Sequence, residues 1–467
     1  MTALWSSAEA EAATLGRASK PFAATGISID TRTLNPGALF VALRGDARDG
    51  HAYVRAALEK GAAAALVSDH AEGASEHAAL LTVANTLRGL EDLGRAARAR
   101  SHAKIIAVTG SAGKTTTKEM LRLACGALGI THASAASHNN HWGVPLSLAS
   151  MPRETEFGVF EIGMNHFGEI RALVSLVRPH VALVTTIAPA HLEFFGSCEA
   201  IADAKSEIFE GIMPGGAAVI PADSPHTQRL RARAKQAGVS RIVSFGRHAA
   251  SEARLTAVRD IAEGMRVEAE ILGRGVHLRL QASGEHLAGN AVGALLAVAL
   301  ADGDILNAAA ALSDFSALQG RGARKSIAFS GGRIELIDES YNANPASVAA
   351  ALKVLARTAP VNGGRRIAVL GDMLELGAES PALHAALAAN IESARVDLVF
   401  ASGRDMQALY DAVPASLRGA YAETSSQLAP ELLAALLPGD VVLVKGSFGS
   451  RMGTIVEALT QQAGGRP

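Results

Sequence analysis

An α/β fold in three domains is predicted by three observations. The chain has 467 residues, on the order of three domains by length. Short apolar runs alternate with helical patterns along most of it and end in polar turns, as in parallel sheets covered by helices. At Lys104–Met120 one run leads directly into a glycine turn, a Lys-Thr pair and a helix, KIIAVTGSAGKTTTKEM.

In that stretch Ile105, Ile106, Ala107 and Val108 suffice for a buried strand. Gly110, Ser111, Ala112 and Gly113 form the turn, Lys114, Thr115, Thr116 and Thr117 follow, and apolar residues resume at helical spacing from Met120. Such a junction offers backbone N–H groups and a helix N-terminus to an anion, a lysine for charge and a hydroxyl for Mg2+. The first glycine of G-x-x-x-x-G-K-[ST] would fall at Val108, so the loop is a shortened form. Its place between strand and helix favours phosphate binding over a plain turn.

Hydrophobic residues make up 49% and charged residues 19%, enough for well-packed cores. A net charge of −1 argues against an electrostatic hold on nucleic acid, so charged substrates must meet local clusters. Cys125 and Cys198 lie far apart and read as buried, reduced thiols of a cytosolic protein. The N-terminus, MTALWSSAEAEAATLG, lacks the features of a secretory signal. The most apolar run, Leu287 to Leu300, falls short of the ~20 residues of a membrane span. A soluble cytoplasmic protein without membrane insertion is expected.

The first hundred residues (1–100) read as a small α/β unit. A strand is expected in ISIDTRTLNPGALFVALRG after the Pro36-Gly37 turn. Asp30, Arg32, Asp49 and His51 stand at element edges, either as surface turn residues or as ligand contacts. ARARSHAK, Ala97 to Lys104, reads as a linker into a second domain at 101–316. There, Asn139, Asn140 and His141 form a polar loop, read as a capped loop or a ligand loop. FGVFEIGMN ends a buried strand in Glu161, where a Mg2+ contact would sit. A third strand, in HVALVTTIAPAHLEFFGS, leads to His191, structural or ligating. Lys205 falls in the first turns of an amphipathic helix, ordinarily a solvated charge. Leu255 to Gln281 alternates as antiparallel strands do, and Gly284 to Ala301 is a long helix holding Asn290. SALQGRGARKS marks the boundary to a third domain, 317–467, where strand–helix alternation implies a doubly wound sheet. It has no G-x-G-x-x-G fingerprint.

Together these strings resemble the Mur ligase family over about the whole chain. TGSAGKTT is similar to the family's short phosphate loop. EIGMNHFGEI, APAHLEFFGS (with Ala188 where glycine is usual), AKSEIF, GEHLAGNA, DESYNANP, GDMLELG and VKGSFGSRM have counterparts in order. DESYNANP and the N-terminal DTR…PGALFVAL…DGH resemble the branch that adds D-Ala-D-Ala.

The resemblance implies a small N-terminal substrate domain, a central P-loop-type ATPase domain with added antiparallel strands, and a C-terminal Rossmann-like domain. It implies an ATP- and Mg2+-dependent amide ligase acting on UDP-MurNAc-tripeptide and D-Ala-D-Ala through an acyl phosphate; a monomer is the default expectation. By this resemblance Gly110 to Thr116, with Lys114, hold phosphates, and Thr115, Glu161, His191 and a carbamylated Lys205 hold metal. Asn290 meets the adenine, and Asp338 with Arg321 (or Arg324) reaches the nucleotide. Ser28, Asp30 and Arg32 line the UDP end, and Asn139, Asn140 and His141 the muramoyl-peptide. Tyr341, Asn342, Asn344, Lys445 and Ser447 face the dipeptide and reacting carboxylate. Since residues of two domains must meet on ATP, the third is expected to close over the second.

Overall fold

The computed structural model describes residues 3–45, 48–68, 78–135 and 138–462. Three main sheets divide the chain. The N-terminal sheet contains β1 (Arg17–Ala18), β2 (Gly26–Ser28), β3 (Ala38–Val41), β4 (Ala64–Val67) and β5 (Leu80–Thr82) in the order β1-β5-β4-β3-β2. All its pairings are parallel except β1 with β5. Helix α1 (Thr86–Ala99) then leads to the central sheet.

That sheet is built from β6 (Lys104–Thr109), β7 (Thr131–Ala133), β8 (Phe157–Glu161), β9 (Val181–Val184), β10 (Ala217–Pro221), β11 (Arg241–Gly246), β12 (Ala253–Ile261), β13 (Gly264–Ile271) and β14 (Arg274–Leu280). The order is β14-β13-β12-β11-β10-β9-β6-β8-β7, so β6 lies between β9 and β8. Alternation in the sequence reflects the antiparallel pairs β12–β13 and β13–β14, while β12 itself joins β11 in parallel. Ile106 and Val108 enter one core and Ile105 and Ala107 the other, on opposite faces. A strand covered on both sides must be apolar throughout, which explains the unbroken run. Helices α2 (Lys114–Gly126) and α6 (Glu285–Leu300) cover the first face; α3 (Gly143–Ala149), α4 (Glu169–Val177) and α5 (Cys198–Ser206) cover the second.

The C-terminal sheet holds β15 (Ala323–Phe329), β16 (Gly332–Glu339), β17 (Arg366–Gly371), β18 (Leu398–Ser402), β19 (Arg418–Ala422) and β20 (Val441–Lys445), ordered β15-β16-β20-β17-β18-β19. Only β15 pairs antiparallel. Helix α7 (Pro345–Arg357) follows β16. Both faces carry cores, as in a doubly wound fold. Among the described residues no helix is long and apolar enough to cross a membrane.

Three local expectations need correction. Ala97–Lys104 is no loose linker: α1 continues through Ala99, and β6 begins at Lys104. Arg98 is buried, donating from Nε to Val177 O and from Nη2 to Arg178 O, each at 2.8 Å. An arginine read as part of a linker is used to satisfy the last carbonyls of α4. Lys205 sits in the last turn of α5, not its first turns, and is buried. Cys198 is half-buried, not buried, and both cysteines are free.

The N-terminal unit is docked on the central one. Leu90, Leu93 and Ala97 of α1 share a core with Leu146 and Ala149 of α3. Trp5 Nε1 donates to Ala149 O at 2.8 Å, and the Arg100 guanidinium lies 3.9 Å over its ring. Arg98→Ala removes two charge-assisted bonds to buried carbonyls and should cost about 3 kcal/mol. The denaturation midpoint in urea should fall; an unchanged midpoint would contradict the docking role given to Arg98.

Candidate active site

Most of the polar residues singled out in the sequence stand beyond the carboxyl ends of parallel strands. Asp30 follows β2, the glycine loop follows β6, Glu161 ends β8, His191 follows β9, Tyr341 follows β16 and Lys445 ends β20. In open α/β sheets this edge is where ligands bind.

The loop between β6 and α2 is held by its neighbours. Gly110 (φ +152°) packs so closely on Thr185 that a Cβ would lie 1.8 Å from Thr185 Oγ1. Gly113 has φ +80°, and a Cβ there would meet Asn290 Nδ2 at 2.7 Å. Both positions require glycine. Thr185 Oγ1 donates to Ala112 O at 2.6 Å. Ser111 binds on three sides: its N–H donates to Thr186 O at 2.8 Å, its Oγ donates to Ala188 O, and its carbonyl accepts from Asn344 Nδ2 at 3.3 Å. No side chain caps α2, whose N-terminus is left to a ligand. Lys114 Nζ folds back on Gly110 O at 2.7 Å, and Thr115 and Thr116 are buried.

Around this loop positive charge exceeds negative. Burial lowers the pKa of Lys114, Glu161 raises it, and Arg321 lowers it again. The pKa of Lys205 is held well below the ordinary lysine value, first by burial and then by Lys114. Glu161 is 1% exposed. Its Oε1 accepts from Asn139 Nδ2 at 2.7 Å, whereas Oε2 is buried without a hydrogen-bond partner. An orphaned carboxylate oxygen fits a cation contact. Among the described residues no three His, Cys, Asp or Glu converge as a metal cage. Mg2+ needs none, because it keeps waters and takes one or two carboxylates plus substrate phosphates.

The C-terminal domain reaches over the loop, as expected of a closed arrangement. Arg321 stacks 3.9 Å over the Tyr341 ring, and Tyr341 packs on Phe448, which is 75% exposed. Arg324 is occupied elsewhere, by Glu335 and Thr358, so Arg321 is the arginine near the loop. Several residues assigned by resemblance to direct contact are committed to protein groups. Asp338 accepts from Gly320 N at 3.0 Å and Ser340 Oγ at 2.6 Å, shaping the turn that carries Arg321. Asn344 caps α7 through Ser347 N while bonding Ser111. Its amide is used at both ends and ties the two domains together. Buried Lys445 donates to Glu339 at 3.1 Å and Asn342 O at 3.0 Å. Ser447 accepts from Leu374 N at 2.9 Å, and Asn342 Oδ1 accepts from Ala343 N.

Other assigned residues are grouped apart. Asn140 accepts from Gly143 N at the start of α3, and His141 is exposed. Ser28, Asp30 and Arg32 form one surface turn, with Arg32 Nη2 2.6 Å from Asp30. That guanidinium holds the Asp30 carboxyl at about 2. Two groups went unnoticed in the sequence. His286 on the first turn of α6 is reached by solvent, yet the protein mass around its cleft lowers its pKa, with Glu339 raising and Lys445 lowering it. Glu375, from the C-terminal domain, brings Oε2 to 2.5 Å from His191 Nδ1. Both lie in strings quoted above, GEHLAGNA and GDMLELG, but neither pattern says what faces them.

Comparison with known proteins agrees with this architecture. Three family models match in succession: Mur ligase family, catalytic domain, at residues 23–131; Mur ligase middle domain at 108–298; and Mur ligase, glutamate ligase domain, at 324–448. UDP-N-acetylmuramoyl-tripeptide–D-alanyl-D-alanine ligase of Escherichia coli (strain K12) is 35% identical over 93% of both chains. Its counterpart from Rickettsia prowazekii (strain Madrid E) is 33% identical over 92% of this chain and 94% of its own. The crystal structure of MurF from Acinetobacter baumannii aligns with a TM-score of 0.85 at 30% identity, covering 98% of this chain and 99% of that one. The chain belongs to the Mur ligase family.

Proposed function

We propose that this protein is an ATP-dependent amide ligase that joins D-Ala-D-Ala to UDP-MurNAc-tripeptide, giving UDP-MurNAc-pentapeptide, ADP and phosphate for peptidoglycan precursor synthesis. The observation that carries the reading is the shortened phosphate loop, bonded at Ser111 to both the β9 loop and the C-terminal domain. Similarity over the full chain to relatives named for this reaction supports the choice of substrates. The domain limits adopted are 1–100, 101–316 and 317–467, and the working protein is a cytoplasmic monomer.

In this reading the loop amides from Gly110 to Thr116 and the end of α2 bind the β- and γ-phosphates. Lys114 exchanges its bond to Gly110 O for a phosphate oxygen. Asn290, lying against Gly113, meets the adenine end, and Arg321 reaches the nucleotide from across the domain boundary. Thr115, Glu161, His191 and Lys205 would hold Mg2+, which neutralises charge developing on the transferred phosphoryl group. A buried lysine whose pKa is pushed down by burial and by Lys114 suits carbamylation: the free amine adds to CO2, loses a proton and becomes a carboxylate-like donor. Asp338 positions Arg321 through Gly320.

The tripeptide carboxylate attacks the γ-phosphorus, forming an acyl phosphate and releasing ADP. The amine of D-Ala-D-Ala then attacks the carbonyl, phosphate leaves, and an amide remains. Positioning dominates such chemistry, so the protein's main contributions are alignment and exclusion of water. Ser28, Asp30 and Arg32 serve the UDP end, and Asn139, Asn140 and His141 the muramoyl-peptide, with Asn139 also orienting Glu161. Tyr341, Asn342, Asn344, Lys445 and Ser447 shape the dipeptide side.

Phosphate release from ATP by purified protein should require both D-Ala-D-Ala and UDP-MurNAc-tripeptide. Release dependent on glutamate and a folate instead would overturn the substrate assignment. Lys205→Ala should lower kcat by about two orders of magnitude, the scale of removing one charge-stabilising group. Added bicarbonate should not restore it, and near-normal turnover in this variant would remove the carbamate.

A further inference from the structure

We propose that Glu375 is a positioning residue for His191: a carboxylate carried by the C-terminal domain that fixes the imidazole's tautomer and orientation once the domains are together. It rests on the metal-holding role given to His191 under Proposed function. Glu375 Oε2 lies 2.5 Å from His191 Nδ1, and Glu193 N donates to Glu375 O at 3.1 Å, so side chain and backbone both cross the boundary.

The backbone at this contact is unusual on both sides. His191 has φ +62° and Glu375 φ +63°. Non-glycine residues take this left-handed conformation uncommonly, and here two that do stand against each other. Beside them Gly377, also at φ +63°, comes so close that a Cβ would stand 3.2 Å from Glu193 Cα. An ordinary surface ion pair contributes little and needs no such backbone. Here two strained residues meet, and their loops are in backbone contact.

The consequence for His191 follows from imidazole chemistry. The Glu375 carboxylate stands 2.5 Å from Nδ1 without being aligned to the ring N–H as a hydrogen bond; once aligned it favours the Nδ1–H tautomer and leaves the Nε2 lone pair as the donor atom. The His191 segment is also tied to the phosphate loop through Ser111 Oγ and Ala188. Glu375 therefore sets the ring relative to the phosphates, and the donor set is complete only in the closed arrangement.

The test uses the full-length protein, a non-hydrolysable ATP analogue and Mn2+ as the metal probe, followed by electron paramagnetic resonance. Glu375→Ala should weaken Mn2+ binding in the analogue complex by about tenfold or more, the usual effect of losing an outer partner of a metal-bound histidine. Glu375→Gln, which keeps the shape and an acceptor oxygen, should recover part of it, and carries the comparison if the alanine variant does not fold. Glu379→Gln, altering another carboxylate of the same cleft, should bind like wild type. Wild-type affinity in both Glu375 variants with loss in His191→Ala would overturn the positioning alone. Wild-type affinity in His191→Ala as well would remove the metal contact beneath it, and the proposal with it.

Discussion

Buried positive charge is the constraint on which this structure turns. Burial and Arg321 lower the pKa of Lys114, burial and Lys114 lower that of Lys205, and Glu161 is the opposing charge acting on Lys114. Removing amines from water disfavours their charged form, and a second cation nearby adds to that penalty. Two answers are open to such a site: a lysine gives up its proton, or an anion arrives. Lys205 is suited to the first and Lys114 to the second. A fold that keeps this arrangement gains a pocket prepared for polyphosphate before the ligand enters.

Sheet architecture explains how the charges are brought together without disorder. Each sheet presents the carboxyl ends of its parallel strands, where the chain must turn and polar residues are tolerated. Ser111 then ties the phosphate loop to the β9 segment and to α7 of the next domain. Gly110 and Gly113 permit approaches that any side chain would block. The phosphate loop is thus itself hydrogen-bonded to the C-terminal domain.

Much of this was legible in local patterns. The phosphate loop, the strand ending in Glu161 and the alternating strands β12–β14 each follow from a residue's neighbours in sequence. Contacts between distant segments were not. Lys205 looked like a solvated helix charge because periodicity cannot say that Lys114 lies across the way. Arg98 looked like part of a linker because the carbonyls it satisfies belong to α4, some 80 residues on. Asn344 was read as a ligand residue, but its string does not reveal that both ends of the amide are taken by protein. His286 and Glu375 passed unnoticed for the same reason: their partners belong to another domain.

The central claim is that the tripeptide carboxylate is activated by phosphorylation in this charged pocket. It is tested most directly by labelling that carboxylate with 18O and following the label through one turnover. The account predicts that one labelled oxygen appears in the released phosphate, because the bridging oxygen of the acyl phosphate leaves with it. Phosphate free of label, with the displaced oxygen found in water or in the nucleotide instead, would contradict it.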